Sequence, residues 1–444
     1  MNVSGTTTAQ QSHSASACQA DNAYPAAFSA DARASEPRNL VLLAVYQVML
    51  RLAWIFKTES VIVPAFLDMI AGAGWVRGCL PVLNRLGQSV PPVLFSRRLA
   101  AMGRKKHALV VFTVAQGVPF LVLAAVWWHV ADERPPWLAP LFLSLYVAFF
   151  VLTGLSRISL STLHGKLVHP THRGRLLSIS FFLGALVATS MAWWLLGTWL
   201  ARGPRGFVAI FALTGSLFVL TGLCALLLRE PRDTNHRSTG SIGRYLTDSW
   251  QTVRRDAKFR RLVPVALLFA MVLILFPHYQ ALGRERLGIG GAKLMVFVVT
   301  QNLSLGVFSL VIGPLADRHG NRLALRLLLL GTVLTPLTAV ALTMVDRGVG
   351  ARWFWIVYIP LGLTPVTMRT LINYTLELSP PRDHPRYLSA LSVCIAAPFV
   401  ASPLVGWLVD ATSFEAVFLL GASLVLLGGL LTFRLAEPRH GSHI

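Results

Sequence analysis

Runs of roughly 20 apolar residues recur along this chain from about Leu40 to Arg434, separated by short charged turns. A helix rises 1.5 Å per residue, so each run can cross a hydrocarbon core about 30 Å thick. The chain has 444 residues, of which 54% are hydrophobic and only 13% charged. Soluble domains carry about 25% charged residues, and that excess has no place on a membrane-embedded surface. The pattern predicts an all-α polytopic membrane protein. Twelve spans can be placed, near 47–69, 74–95, 107–130, 138–163, 175–200, 206–228, 262–282, 294–316, 323–345, 353–376, 387–409 and 415–434.

The net charge of +21 invites a nucleic-acid reading. The cations sit instead in short loops between apolar runs, where positive-inside topology collects them. One set of loops is basic: 96–106, 164–175, 229–261 and 316–326. The alternate set, such as 131–136 and 410–415, is near neutral or acidic. An even number of spans with both termini cytoplasmic, in the cell membrane, follows from this asymmetry. Residues 1–38 are rich in Ser, Ala and Thr and read as a disordered cytoplasmic tail, and 437–444 as a cytoplasmic tail at the other end. Cys18, Cys79, Cys224 and Cys394 are scattered, which supports neither a disulfide framework nor a metal site.

The longest loop, 229–261, falls at the midpoint. Within it Leu246, Trp250 and Val253 recur at helical spacing among Arg254, Arg255, Lys258, Arg260 and Arg261. This fits an amphipathic helix lying on anionic lipid, or a solvated linker. The two sides of the loop, 39–228 and 262–436, echo one another. Pro170 and Pro381 each precede an Arg by five residues, Arg175 and Arg386. Tyr146 and Tyr358 each precede an Arg by eleven, Arg157 and Arg369. "VPAFL" at 63–67 aligns with "FPHYQ" at 276–280, and Gly103 with Gly320, at nearly one shift. Ordered matches at one shift predict two six-helix bundles repeated in parallel.

The turn "GPLADRHGNRLALR", 313–326, lies between spans eight and nine. Its Gly313, Leu315, Ala316, Asp317, Arg318, Gly320 and Arg322 resemble the signature loop of the major facilitator superfamily, and with the twelve spans the resemblance covers about residues 40–436. Gly313 would permit close helix approach, Gly320 the tight reversal, and Arg318 and Arg322 would hold the loop on the cytoplasmic side. The resemblance implies that Asp317 latches that side shut against the start of span five, where Arg173 and Arg175 sit. The first-half copy keeps Gly103 and Arg104 but has no Asp, which makes a symmetric latch doubtful.

Ionisable residues at membrane depth are costly and therefore candidate sites. Span one carries Arg51, Lys57 and Glu59. Two residues on a helix differ by about 200°, so Lys57 and Glu59 should face different ways, with Glu59 pairing to another helix. The resemblance implies a central cavity lined by spans one, four, seven and ten. The polar residues there are Arg157, then His278, Tyr279 and Gln280, then Arg369 and Asn373, with Gln301 and Asn302 from span eight. Arg157 and Arg369 hold equivalent places, so they could face each other and bind carboxylate or phosphate. Either could instead be a structural partner of Glu59. Glu59 is the candidate for proton coupling, or a permanent ion pair.

No GxxxxGK[ST] loop, HExxH or GxSxG is present, so neither ATP-driven pumping nor hydrolytic chemistry is supported, and no cofactor is expected. The expectation is a monomeric secondary transporter of a small organic, anionic solute, with protons as a candidate co-substrate and membrane lipid around it. The alternatives are a hydrophobic drug or lipid exporter, and a transporter-shaped sensor or assembly subunit that binds without transport.

Overall fold

Proline decides where several of these helices break. It has no N–H to give the carbonyl four residues back, and its ring crowds that carbonyl. Span one is helical over Ala30–Phe56, unwinds through 57–61, and resumes over Ile62–Ile70, with Pro64 set four residues after Ser60. Span seven runs Ala257–Ile274, breaks at Leu275, and continues over Phe276–Leu287 with Pro277 in its first turn. Span nine breaks at Val333 just before Pro336, and span ten at Gly362 just before Pro365. Pro119 and Pro314 lie inside uninterrupted helices, so proline permits a break without compelling one.

The computed structural model describes residues 30–231, 242–380 and 383–437. Among these, eleven helices are long and apolar enough to cross a membrane. The remaining span, Gly74–Ala101, has 28 residues, enough for about 42 Å. It is more polar because Arg77, Asn84, Arg85 and Gln88 lie along it. It packs against spans four and eleven, so its polar side chains face protein. Span one differs most from expectation. Its helix starts at Ala30 and not near 47, so 30–38 is no tail; the rest of the expected tail, 1–29, lies outside the described residues, as do 438–444.

The helix pairings repeat between the two halves. Span one packs on five and six, as seven packs on eleven and twelve. Three packs on four and six, as nine packs on ten and twelve, and two meets four as eight meets ten. This is the pseudo-symmetry expected of two six-helix bundles. Two seams join the halves, span two with eleven and span five with eight. From the central loop, Ile242–Arg255 is a helix packed on the start of span eleven, with Trp250 exposed beneath the Arg254 guanidinium.

The halves meet closely on the face away from the termini. A Cβ on Gly406 would lie 2.1 Å from the Gly74 carbonyl oxygen, and one on Gly78 2.3 Å from that of Ser402. Only glycine allows backbones this near. On the terminal face spans five and eight part. A Cβ on Gly306 or Gly313 meets nothing within 4 Å, so Gly313 does not serve helix approach in this state, contrary to the expectation from sequence.

Candidate functional site

The unwound segment of span one brings Lys57 and Glu59 together. The 200° argument assumed a continuous helix and fails here, because residues 57–61 are not helical. Lys57 Nζ lies 2.7 Å from Glu59 Oε1. Lys57 is fully buried, with its ammonium 3.4 Å from the centre of the Trp54 ring and near Phe149 and Phe150. Such a cage holds a cation through the ring quadrupoles where water cannot reach it. Lys57 therefore stands behind the cavity and not in its wall. Glu59 keeps 24% of its side chain exposed and faces the cavity.

From Glu59 a chain of hydrogen bonds runs across the first half. Asn84 donates to Glu59 Oε2, Gln88 donates to Asn84, and Arg157 Nη1 donates to Gln88 Oε1 at 2.8 Å. Four side chains from spans one, two and four thus share one polar thread. They border a central cavity of about 400 Å³, a size suited to a small molecule. Its charged lining is Arg51, Arg85 and Arg157 against Glu59. Arg85 stacks over Phe399 at 5.5 Å. The second half contributes Gln301 and Asn302, which reach across: Ser60 Oγ donates to Gln301 Oε1 at 2.5 Å and Arg51 Nη2 to Asn302 Oδ1 at 3.0 Å. Apolar walls come from Trp54, Phe276 and Met368.

The structure therefore gathers Arg51, Glu59, Arg157, Gln301 and Asn302 at one cavity. Several expected lining residues lie elsewhere. His278, Tyr279 and Gln280 are buried in the outer piece of span seven, with Tyr279 against Phe418 of span twelve. Their turn begins beyond the break at Leu275, which swings them away from the axis. Asn373 does not line the cavity. Arg369 does not face Arg157; it stacks over Phe181 of span five at 4.8 Å and lines a separate cleft. Reading from the sequence missed Asn84, Arg85 and Gln88. Their signal was present as polar residues recurring within a single span, "LPVLNRLGQSVPP".

On the closed face a second charged cluster joins the halves. Arg77 is 1% exposed and binds Asp68 at 2.8 Å and Glu285 at 3.1 Å, with Asp410 at 3.9 Å. Arg284 lies 3.3 Å from the other Asp68 oxygen, and Gly74 N donates to Asp410 at 2.6 Å. Asp68, Gly74 and Arg77 belong to the first half, Arg284, Glu285 and Asp410 to the second. The contacts that cross between the halves can exist only while this face is shut.

At the signature loop Gly320 has φ +89°, the conformation glycine adopts without strain. Arg322 binds Glu437 at 3.0 Å and the Leu435 carbonyl. In the first half Glu230 occupies the matching place. It accepts from the Lys105 and Lys106 amides at 3.0 and 2.7 Å, where a helix start favours an anion. "LREP" at 228–231 and "LAEP" at 435–438 carry these two glutamates. Asp317, Arg318 and Arg175 are exposed, Arg104 likewise, and Arg173 caps its own neighbourhood through the Val168 and Gly165 carbonyls. Gly103 sits in the turn before span three.

Comparison with known proteins agrees with this architecture. A stretch of 133 residues is 32% identical to the tetracycline resistance protein, class C, of Escherichia coli, covering 29% of this chain and 31% of that protein. Since this chain matches under a third of that relative's length, the likeness is local. The uncharacterized protein Rv2209 of Mycobacterium tuberculosis (strain ATCC 25618 / H37Rv) is 24% identical over 381 residues, 83% of this chain and 70% of its own. A solved point mutant of the nucleoside transporter NupG superposes with a TM-score of 0.68 at 11% identity, covering 90% of this chain and all of that one, which shows a shared fold. The sequence model of the Major Facilitator Superfamily matches residues 73–374 and 284–443, most of the chain, so this multi-pass membrane protein belongs to that family of transporters and is not an enzyme.

Proposed function

We propose that this protein carries a small organic anion across the cell membrane by rocking its two halves about the central cavity, with Glu59 as the proton-coupling group. The observation that carries this reading is the lining charge: three guanidinium groups against one carboxylate, and that carboxylate already engaged by Lys57. Arginine presents a planar fork suited to carboxylate and phosphate. The basic loops put both termini in the cytoplasm, so the state described here is closed outward and open inward. What supports Glu59 in that role is the buried cation behind it and the open cavity before it. A proton arriving from the cavity would neutralise Glu59 and leave the three lining guanidiniums unopposed before an incoming anion.

Export of a hydrophobic drug is the second reading. It is favoured by the local likeness to a tetracycline resistance protein and by the walls of Trp54, Phe276 and Met368. Thermal stability of the purified protein against organic anions and amphipathic cations separates the two. A ligand at about 100 times its Kd stabilises by about 2.7 kcal/mol. Stabilisation by anions that Arg157→Gln removes supports the anion site, and counterflow in vesicles then separates a transporter from a sensor. Stabilisation by cations alone would overturn the anion reading.

A further inference from the structure

A second cavity, of about 730 Å³, opens in the seam between spans five and eight. Its walls are apolar, with Phe181, Phe182 and Leu186 from one span and Leu303, Val307 and Leu310 from the other. The outer rims of both walls are exposed, Phe182 by 66% and Leu310 by 73%. These rims lie within membrane spans, where exposed apolar side chains suit contact with lipid. The other seam, between spans two and eleven, is shut at its end away from the termini by the backbone contacts of Gly74 and Gly78.

The inner end of this cleft is charged. Arg51 and Arg369 both line it, and the two guanidiniums repel each other. Among the described residues neither has a carboxylate within 4 Å; Arg51 donates to the neutral Asn302 amide, and Arg369 rests on the Phe181 ring. Two like charges at the end of an apolar cleft are costly unless an anion joins them. Arg51, Asn302 and Leu305 also line the central cavity, so the two spaces meet there.

We infer that the substrate is a single-chain anionic amphiphile drawn from the bilayer. Its head is held between Arg51 and Arg369, on the way into the central cavity, and its tail lies in the cleft of spans five and eight. This rests on the anion reading of the central cavity and adds the tail to it. Charge complementarity fixes the head, and the apolar rims fix the tail. One cleft of about 730 Å³ accommodates one chain.

The test uses the full chain in nanodiscs of neutral phosphatidylcholine and a hexadecanoate carrying a diazirine near its methyl end. Illumination and peptide mapping should place the label within 181–194 and 303–310. Unlabelled hexadecanoate should compete, whereas hexadecanol, lacking charge, and hexanoate, lacking a tail, should not. Arg51→Gln and Arg369→Gln should each lower labelling about tenfold or more, the loss expected for a charge-assisted hydrogen bond. The competition series needs no variant, so it stands even if a variant folds poorly. Equal competition by hexadecanol, or label spread over all lipid-facing spans, would overturn the inference. Hexanoate binding in the thermal assay without cleft labelling would also overturn it while leaving the anion site intact. Loss of all anion binding would remove both.

Discussion

Removing three of the contacts that cross between the halves in the closed-face cluster, and leaving only Arg77 on Glu285 among them, should favour opening of that face. Arg284→Gln and Asp410→Ala together delete the Arg284 contact to Asp68 and both contacts of Asp410, to Arg77 and Gly74. They leave Arg77 on Asp68, a buried pair within the first half, so folding should survive. Arg284 is 34% exposed and Asp410 40% exposed, so each ion-pair arm is discounted to about 0.2–1 kcal/mol. The Gly74 amide bond to a carboxylate adds about 1 kcal/mol after the same discount. The sum is about 1–3 kcal/mol, a shift of roughly 5- to 150-fold in the ratio of the two states. Spin labels on Ala71→Cys and Thr412→Cys, in a chain without its native cysteines, would report the width of that face. The double variant should add or enlarge a long-distance population. An unchanged distance distribution would show that glycine packing and the Arg77–Glu285 pair suffice to hold the face shut.

Glu59→Gln should abolish uphill transport in proteoliposomes yet leave counterflow, since it removes the titrating group and keeps the cavity; full uphill activity would exclude Glu59 from coupling. Lys57→Met should lower thermal stability by about 1–3 kcal/mol, less than a fully buried pair because Glu59 is partly exposed. Adding Glu59→Gln should restore part of that loss, and strictly additive effects would mean the two groups are not coupled. Asp317→Asn should favour the state seen here, with its parted terminal face, if Asp317 closes that face in the opposite state. Unchanged labelling of cysteines on the two faces would leave Asp317 a topological residue.

Span positions were legible because hydropathy reports the bilayer directly, and most ends fall within a few residues of the helices found. Span one begins earlier than expected because its match to span seven, Pro64 with Pro277, bears on the end away from the termini and not on where the helix begins. The site was legible where residues stand on unbroken helix, as Arg157 does in span four. It was not legible at Lys57 and Glu59, where helical geometry was assumed across an unwound turn. The Arg157–Arg369 pairing failed for a different reason. Equivalent positions in two repeats need not meet when the halves are rotated apart, and Arg369 finds the Phe181 face instead. The cavity role of span two was not legible because hydropathy places a span but does not report which way its polar side chains, Asn84, Arg85 and Gln88, turn.

The two breaks connect the site to the closed face. Ile62–Ile70 carries Asp68, and Phe276–Leu287 carries Arg284 and Glu285, so each lock-bearing piece is a short helix joined to its span by a break. The breaks adjoin the cavity through Glu59 and Ser60 on one side and Phe276 and Pro277 on the other. A ligand that pulls on Glu59 can therefore tilt the outer piece without moving the whole span. Pro64→Ala returns the missing N–H to the Ser60 carbonyl and favours a continuous helix. The variant should still bind ligand, but binding should no longer change the Ala71 to Thr412 spin-label distance. A ligand-induced change equal to that of the unaltered protein would show that the break is not the hinge, and that the halves move as whole bodies.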